Sequence, residues 1–127
     1  YMVISMENKD ILVDVLDLID RLDASVKLYK IQDKEDFLCR DELEQDGLAY
    51  KIQVIAETLG KVSQDFKDSH NEIPWKNIKG MRNQLSHNYG QNNYRLIWIT
   101  YKEKLPELRE QLVAILDDEY GFENEIF

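Results

Sequence analysis

Apolar residues recur at steps of three and four along most of the chain, and this spacing predicts amphipathic helices. The first apolar stripe predicts a long helix from about residue 5 to about residue 30, and the next predicts a second long helix over residues 48–66. Residues 33–46 between them are typical of a short helix that Asp33 caps. The two stripes consist of Ile11, Val15, Leu18, Leu22, Val26 and Tyr29, and of Leu48, Ile52, Ile55, Leu59, Val62 and Phe66.

A polar segment, residues 67–72, interrupts this pattern and is predicted to be a loop. Pro74 then opens a third main helix, because first-turn amides have no intrahelical partner and the missing N–H of proline costs nothing there. Gly90 suits the left-handed residue that ends a helix. The third helix is therefore predicted over residues 74–89.

The last apolar stripe starts at Tyr94 and continues past Pro106, which predicts either a kinked helix or two consecutive helices. Residues 117–127 are predicted to be frayed or engaged with a partner. With few glycines and prolines to make tight turns, the fold class is all-α. We expect an antiparallel bundle of four main helices and a short one, forming a single domain over residues 1–127.

The composition, with 43% hydrophobic and 32% charged residues, is that of a globular protein. Cys39 is the only cysteine, so no internal disulfide is possible, and with two histidines the chain offers no convincing metal site. No apolar run approaches the roughly 20 residues of a membrane span, and no signal peptide is recognised. We expect a cytoplasmic protein without a membrane partner. The acidic row on the first helix is predicted to be a solvated face and not a metal site; it comprises Asp14, Asp17, Asp20 and Asp23.

The net charge of −9 argues against a general nucleic-acid binder, which needs clustered Lys and Arg to neutralise phosphates. The charge is unevenly distributed, however. Residues 60–95 carry six basic side chains against three acidic ones, so the only basic segment of the chain includes the third helix.

The third helix also gathers the side chains best suited to chemistry: Arg82, Asn83, Ser86, His87 and Tyr89 lie within eight positions. At about 100° per residue, Asn83 and His87 fall on the outer face one turn apart, whereas Arg82 falls at the edge of the buried stripe. That stripe consists of Ile78, Met81, Leu85 and Tyr89.

Two interpretations of Arg82 remain open at this point. Its side chain can pair with a carboxylate on a neighbouring helix, such as that of Glu57, or it can hold an anion at a second protein surface. His87 has two interpretations as well, because a histidine in the last turn of a helix can simply interact with the terminal carbonyls or can act as a titrating group.

The pattern Arg-x-x-x-x-His-x-Tyr, formed by Arg82, His87 and Tyr89, resembles the signature of the HEPN superfamily and specifically of its HepT-like toxin branch. The surrounding sequence agrees. Residues 73–90, IPWKNIKGMRNQLSHNYG, resemble the motif helix of that branch, and residues 97–112 resemble its Trp-containing segment followed by Leu-Pro.

A third segment, residues 52–63, resembles the helix that commonly reads Ile-Gly-Glu-Ala in that branch. Here Ala56 replaces the glycine and Glu57 keeps the acid. The resemblance thus spans nearly the whole chain, in the expected order of helices.

The resemblance implies a helical bundle that dimerises through the motif helix and acts as a metal-independent endoribonuclease without a cofactor. It further implies the toxin of a type VII-like toxin–antitoxin pair, neutralised when a minimal nucleotidyltransferase of the MNT type attaches AMP to Tyr89. The implied catalytic residues are Arg82, Asn83 and His87, and Ser86 and Glu57 are implied to support them. A guanidinium suits phosphate and an imidazole suits proton transfer, so these residue types fit RNA cleavage.

Arg82 and His87 lie about 140° apart on a regular helix. Either the helix loosens before Gly90 or the site is completed across a dimer, and we expect a homodimer. The alternative function is a non-catalytic nucleotide- or partner-binding subunit of a nucleotidyltransferase complex. A third hypothesis is a purely structural bundle in which Arg82 is paired internally.

Overall fold

The computed structural model describes residues 7–87 and 93–121, and all regular structure in these ranges is helical. This confirms the predicted all-α fold, with four main helical segments and two short helices among the described residues. The elements are α1 (Asn8–Leu28), α2 (Lys34–Leu38), α3 (Glu42–Leu59), α4 (Gln64–Ser69), α5 (Trp75–His87), α6 (Tyr94–Ile99), a π-helical turn (Thr100–Lys104) and α7 (Leu105–Tyr120).

The prediction of one short helix over residues 33–46 is wrong, because α2 ends and α3 begins within this range. Asp33 does cap α2, accepting a hydrogen bond from the backbone N–H of Asp36 at 2.8 Å. A second cap follows at Asp41, whose carboxylate accepts from the N–H of Leu43 at 2.8 Å and starts α3. The second long helix therefore begins earlier than its apolar stripe.

The end of the second long helix was also predicted wrongly. α3 ends at Leu59, and Ser63 caps α4 by accepting from the N–H of Phe66 at 3.1 Å. Val62 and Phe66 are buried as their spacing predicted, but they lie beyond α3. Part of the segment predicted as a polar loop, 67–72, is helical up to Ser69.

The loop before α5 is fixed to α7 by polar contacts. The imidazole of His70 lies 3.1 Å from Glu72 Oε1 and 2.7 Å from Glu119 Oε2 on its two nitrogens. Trp75 Nε1 donates to the carbonyl of His70 at 2.9 Å, and Gln111 Nε2 donates to that of Glu72 at 3.0 Å. These contacts fix where α5 begins, one residue after Pro74.

Pro106 is accommodated by two helices joined through the π-helical turn, the second of the two predicted outcomes. Proline lacks an N–H and its ring crowds the carbonyl four residues earlier, so an ordinary α-helical turn there would be strained. The wider π-helical turn over Thr100–Lys104 precedes Pro106, the second residue of α7. α7 continues to Tyr120 and ends at Gly121, which has a φ of 59°. Residues 117–120 are thus helical and were not expected to be, while residues 122–127 lie outside the described part.

The core lies between α1, α3 and the α6–α7 segment. Phe37 of α2 stacks on Trp98 with the ring centroids 5.4 Å apart, which closes one end of this core. α5 packs on α3, and Leu85 is its only fully buried side chain in the described range. Among the described residues, α5, the helix that carries Arg82 and His87, therefore packs against the core on one side only.

The acidic row of α1 is used in ion pairs and hydrogen bonds. Asp20 pairs with Arg109 of α7 at 2.8 Å, and Asp23 accepts from the Tyr101 hydroxyl at 2.6 Å and pairs with Lys27 at 2.8 Å. Within residues 7–87 and 93–121 no group of three acidic, His or Cys side chains could hold a metal ion. No helix in these same ranges has the length and hydropathy required to cross a bilayer.

Candidate functional site

The buried and exposed sides of α5 carry the residues that the helical spacing predicted. Leu85 is buried, Ile78 and Met81 are half-buried against the core, and Arg82 is half-buried at the edge of this stripe. Three of the predicted site residues on α5 are exposed: Asn83, Ser86 and His87. The helix thus presents an imidazole and an amide outward and a guanidinium beside the packed face.

The guanidinium of Arg82 is hydrogen-bonded to its neighbour in sequence. Its Nε and Nη2 donate to Asn83 Oδ1 at 3.3 and 3.0 Å. In the part of the chain that the structure describes, no carboxylate forms an ion pair with Arg82. Because an amide oxygen neutralises no charge, the positive charge of Arg82 is still available to an anion, and Asn83 fixes the orientation of the guanidinium.

Glu57 is not the partner of Arg82. It is exposed on α3 and accepts a hydrogen bond from Gln53 Nε2 at 3.0 Å. The interpretation that Arg82 pairs internally with Glu57 is therefore wrong. The purely structural bundle loses the observation on which it depended.

Ser86 bonds back to its own helix. Its hydroxyl donates to the carbonyl of Arg82 at 2.8 Å, a local contact of the kind that serine often makes inside helices. Ser86 therefore supports the turn that carries Arg82, and its donor is engaged. His87 is the last described residue of α5, and its side chain is exposed in the final turn. Tyr89 and Gly90 lie outside the described residues.

α5 carries no acidic side chain, in contrast to the chain as a whole with its net charge of −9. Lys76 and Lys79 are exposed on this helix, together with His87. The two lysines were predicted only as part of the basic segment, with no role in the site. Their helical spacing from His87 was the signal that could have placed Lys76 on the face of His87 and Lys79 beside that face.

A groove of about 440 Å³ lies between α3, α5 and the α6–α7 segment. Its wall on α5 consists of Asn77, Ile78 and Met81, and apolar side chains of α3, α6 and α7 form most of the rest. None of the predicted site residues of α3 and α5 lines it. The groove lies on the other side of α5 from His87, so this cavity and the candidate chemistry are separate features.

Comparison with known proteins gives the class of this chain. The Ribonuclease HepT-like family matches residues 17–115, and the chain belongs to that family within the HEPN superfamily. This confirms the resemblance carried by Arg82, His87 and Tyr89.

Two relatives show how far the similarity extends. "Probable ribonuclease HepT" of Thermococcus cleftensis is 33% identical over 102 residues, which cover 80% of this chain and 89% of that protein. "Putative RNase TTE0752" of Caldanaerobacter subterraneus subsp. tengcongensis is 36% identical over 85 residues, covering 67% of this chain and 75% of its own length. No solved structure gives a significant match.

Proposed function

We propose that the protein is a ribonuclease of the HEPN type that cleaves single-stranded RNA without a metal ion. The observation that carries this proposal is the guanidinium of Arg82, which Asn83 holds in place while no described carboxylate neutralises its charge. A fixed guanidinium fork suits the non-bridging oxygens of a phosphodiester. Membership of the Ribonuclease HepT-like family and the names of the relatives support the same class of substrate.

In the proposed reaction, the ribose 2′-oxygen attacks the adjacent phosphorus and the bond from phosphorus to the 5′-oxygen breaks. The products are a 2′,3′-cyclic phosphate and a 5′-hydroxyl. A base takes the 2′-hydroxyl proton and an acid supplies a proton to the 5′-oxygen. His87 carries out one of these proton transfers, and Arg82 stabilises the charge that develops on the phosphate.

The proposed active form is a homodimer in which two copies of α5 face one shared cleft. Arg82 and His87 project from α5 about 140° apart, so a regular helix cannot easily bring both to one phosphate. Arg82 of one subunit together with His87 of the other would satisfy this geometry. Sedimentation that shows only monomer at micromolar concentration would contradict the dimer.

The test uses the purified protein and single-stranded RNA in the presence of a chelator. His87→Ala should lower the cleavage rate about 10²–10⁴-fold, the usual contribution of general acid–base catalysis. Arg82→Ala should lower it about 10²–10³-fold, as when one donor to a developing oxyanion is lost. Arg95→Ala is the matched control, because Arg95 is an exposed arginine of α6 that belongs to no proposed site.

A mixing experiment tests the shared site. The Arg82→Ala and His87→Ala proteins should each cleave RNA slowly, but after unfolding and refolding together they should recover part of the parent rate. A mixed dimer has one site with both groups intact if the two come from different subunits. Cleavage by both single variants at the parent rate would end the nuclease proposal.

We further propose that the enzyme is a toxin controlled by a nucleotidyltransferase antitoxin of the MNT type. Transfer of AMP to Tyr89 would add bulk and negative charge two residues from His87, and both would oppose the binding of RNA. Incubation with that antitoxin and ATP should stop RNA cleavage by the parent, whereas Tyr89→Phe should remain active. An unmodified parent protein after this incubation would argue against this form of control.

The alternative is a non-catalytic subunit that binds a nucleotide or a partner of a nucleotidyltransferase complex. The strongly acidic net charge of −9 favours it, because it disfavours long nucleic acids. Calorimetric binding of ATP together with no RNA cleavage in any buffer would support this alternative over the nuclease.

A further inference from the structure

The outer face of α5 carries a row of exposed residues that extends well beyond the proposed catalytic groups. Lys76, Gly80, Asn83 and His87 follow one another at steps of four, three and four, which places them within about 60° of each other on the helix. Lys79 is exposed beside this row. From Lys76 to His87 the row is about 16 Å long, at about 1.5 Å per residue.

The two lysines have no ion-pair partner in the described ranges, whereas Lys27 pairs with Asp23 and Lys67 donates to the Gly60 carbonyl. α5 itself contains no carboxylate that could pair with them. Their charges are therefore directed to solvent on the side of α5 that also carries His87.

Gly80 leaves the middle of this row without a side chain. A Cβ atom at Gly80 would meet nothing within 4 Å. The helix backbone is thus accessible between Lys76 and Asn83, and nothing on α5 prevents a flat, extended ligand from lying against it.

We propose that single-stranded RNA lies lengthwise along this outer face, with Lys76 and Lys79 binding backbone phosphates other than the one that is cleaved. The inference rests on the proposed ribonuclease function and adds a substrate-binding surface to it. RNA is the occupant that fits, since the two lysines at one end of this exposed row, which is about 16 Å long, complement the phosphates of a linear polyanion, while the rest of the chain is acidic.

The experiment measures binding separately from cleavage. The binding probe is a 2′-O-methyl oligoribonucleotide of about 16 nucleotides, which cannot be cleaved and matches the upper end of known single-strand site sizes. The double variant Lys76→Gln/Lys79→Gln should bind it about tenfold more weakly near 0.1 M salt. The slope of log affinity against log salt should become shallower by about 1.4, the value for two lost phosphate contacts on a single strand.

Two matched controls separate the effect of where a charge is changed from the effect of the change in net charge. Lys51→Gln/Lys102→Gln removes two exposed lysines of α3 and the π-helical turn, and this double variant should keep the parent affinity and slope. A glycine pair gives the converse test: Gly80→Glu should weaken binding, whereas Gly47→Glu should not. Gly47 lies in the interior of α3, and a Cβ added there likewise meets nothing within 4 Å.

Cleavage of a dinucleotide substrate distinguishes the extended contact from the catalytic one. The lysine double variant should cleave a dinucleotide as fast as the parent and long RNA more slowly, mainly through a higher KM. Equal loss on both substrates would place the lysines at the cleaved phosphate and overturn the inference. Equal salt slopes for the two lysine pairs would overturn it as well.

The two proposals can fail separately. A parent that binds the 2′-O-methyl probe through Lys76 and Lys79 but cleaves no RNA would retain the binding surface and reject the nuclease. A parent that cleaves RNA with no dependence on these lysines would retain the nuclease and reject the surface.

Discussion

Replacing Gly80 by alanine should stabilise the protein, although Gly80 lies in the helix that carries the proposed site. A glycine in the interior of an exposed helix costs about 0.5–1 kcal/mol relative to alanine, because the unfolded chain has more backbone freedom to lose. Gly80 is exposed in α5, and an added Cβ meets nothing within 4 Å. No steric penalty offsets the gain, so the full 0.5–1 kcal/mol is expected in the free energy of unfolding.

Urea denaturation followed by circular dichroism measures this change, at one fixed protein concentration because an oligomer would make the midpoint concentration-dependent. For a chain of 127 residues, a gain of about 1 kcal/mol corresponds to a rise in Tm of about 3–4 °C. Gly47→Ala in α3 has the same open surroundings and should give a similar gain.

Gly60 is the contrasting position. A Cβ there would lie 3.3 Å from the carbonyl oxygen of Ala56 and 3.5 Å from that of Glu57. These are backbone atoms that cannot move aside easily, so Gly60→Ala should give no gain. If Gly80→Ala unfolds at lower urea than the parent while Gly47→Ala unfolds at higher urea, the space over Gly80 is filled in solution and the reasoning is refuted.

Three further outcomes are expected. The hydroxyl of Tyr94 donates to Asp46 Oδ1 at 2.5 Å, and this hydrogen bond raises the pKa of Tyr94 to about 12. The contribution of this hydrogen bond to the free energy of unfolding is complete below about pH 10 and is lost as the pH rises through about 12. Asp46→Asn should move this step in the tyrosinate absorbance titration toward the ordinary tyrosine pKa, and an unchanged titration would contradict the assignment. The pKa of the Asp23 carboxyl is lowered, first by the hydrogen bond from Lys27. The contribution of Asp23 to the free energy of unfolding is therefore complete above the ordinary carboxyl pKa and is lost as the pH falls through the lowered pKa. Asp23→Asn should therefore lose less unfolding free energy than the parent between about pH 5 and about pH 2. Leu85→Ala should lower the unfolding free energy by about 2–4 kcal/mol, because it removes the buried contact of α5 with the core, and a loss below about 1 kcal/mol would show that α5 does not depend on it.

The long helices could be predicted from the sequence because helical periodicity is a local property. The first predicted helix, 5–30, differs from α1 by only two to three residues at each end. The boundaries near Asp41 and Ser63 could not be predicted this way. Val62 and Phe66 are buried after the helix break just as they would be in one continuous helix, so the apolar pattern carried no sign of the break.

The same distinction holds within the candidate site. The directions of Arg82, Asn83 and His87 follow from fixed angles along one helix, and the structure has them as predicted. The partner of Arg82 did not follow, because Glu57 is on another helix and its carboxylate could have been placed within reach or turned away. Its contact with Gln53 turns it to a neighbour on α3. This long-range outcome matters for function, since pairing with Glu57 would have cancelled the charge of Arg82, whereas the Asn83 amide orients the guanidinium and leaves it able to attract a phosphate.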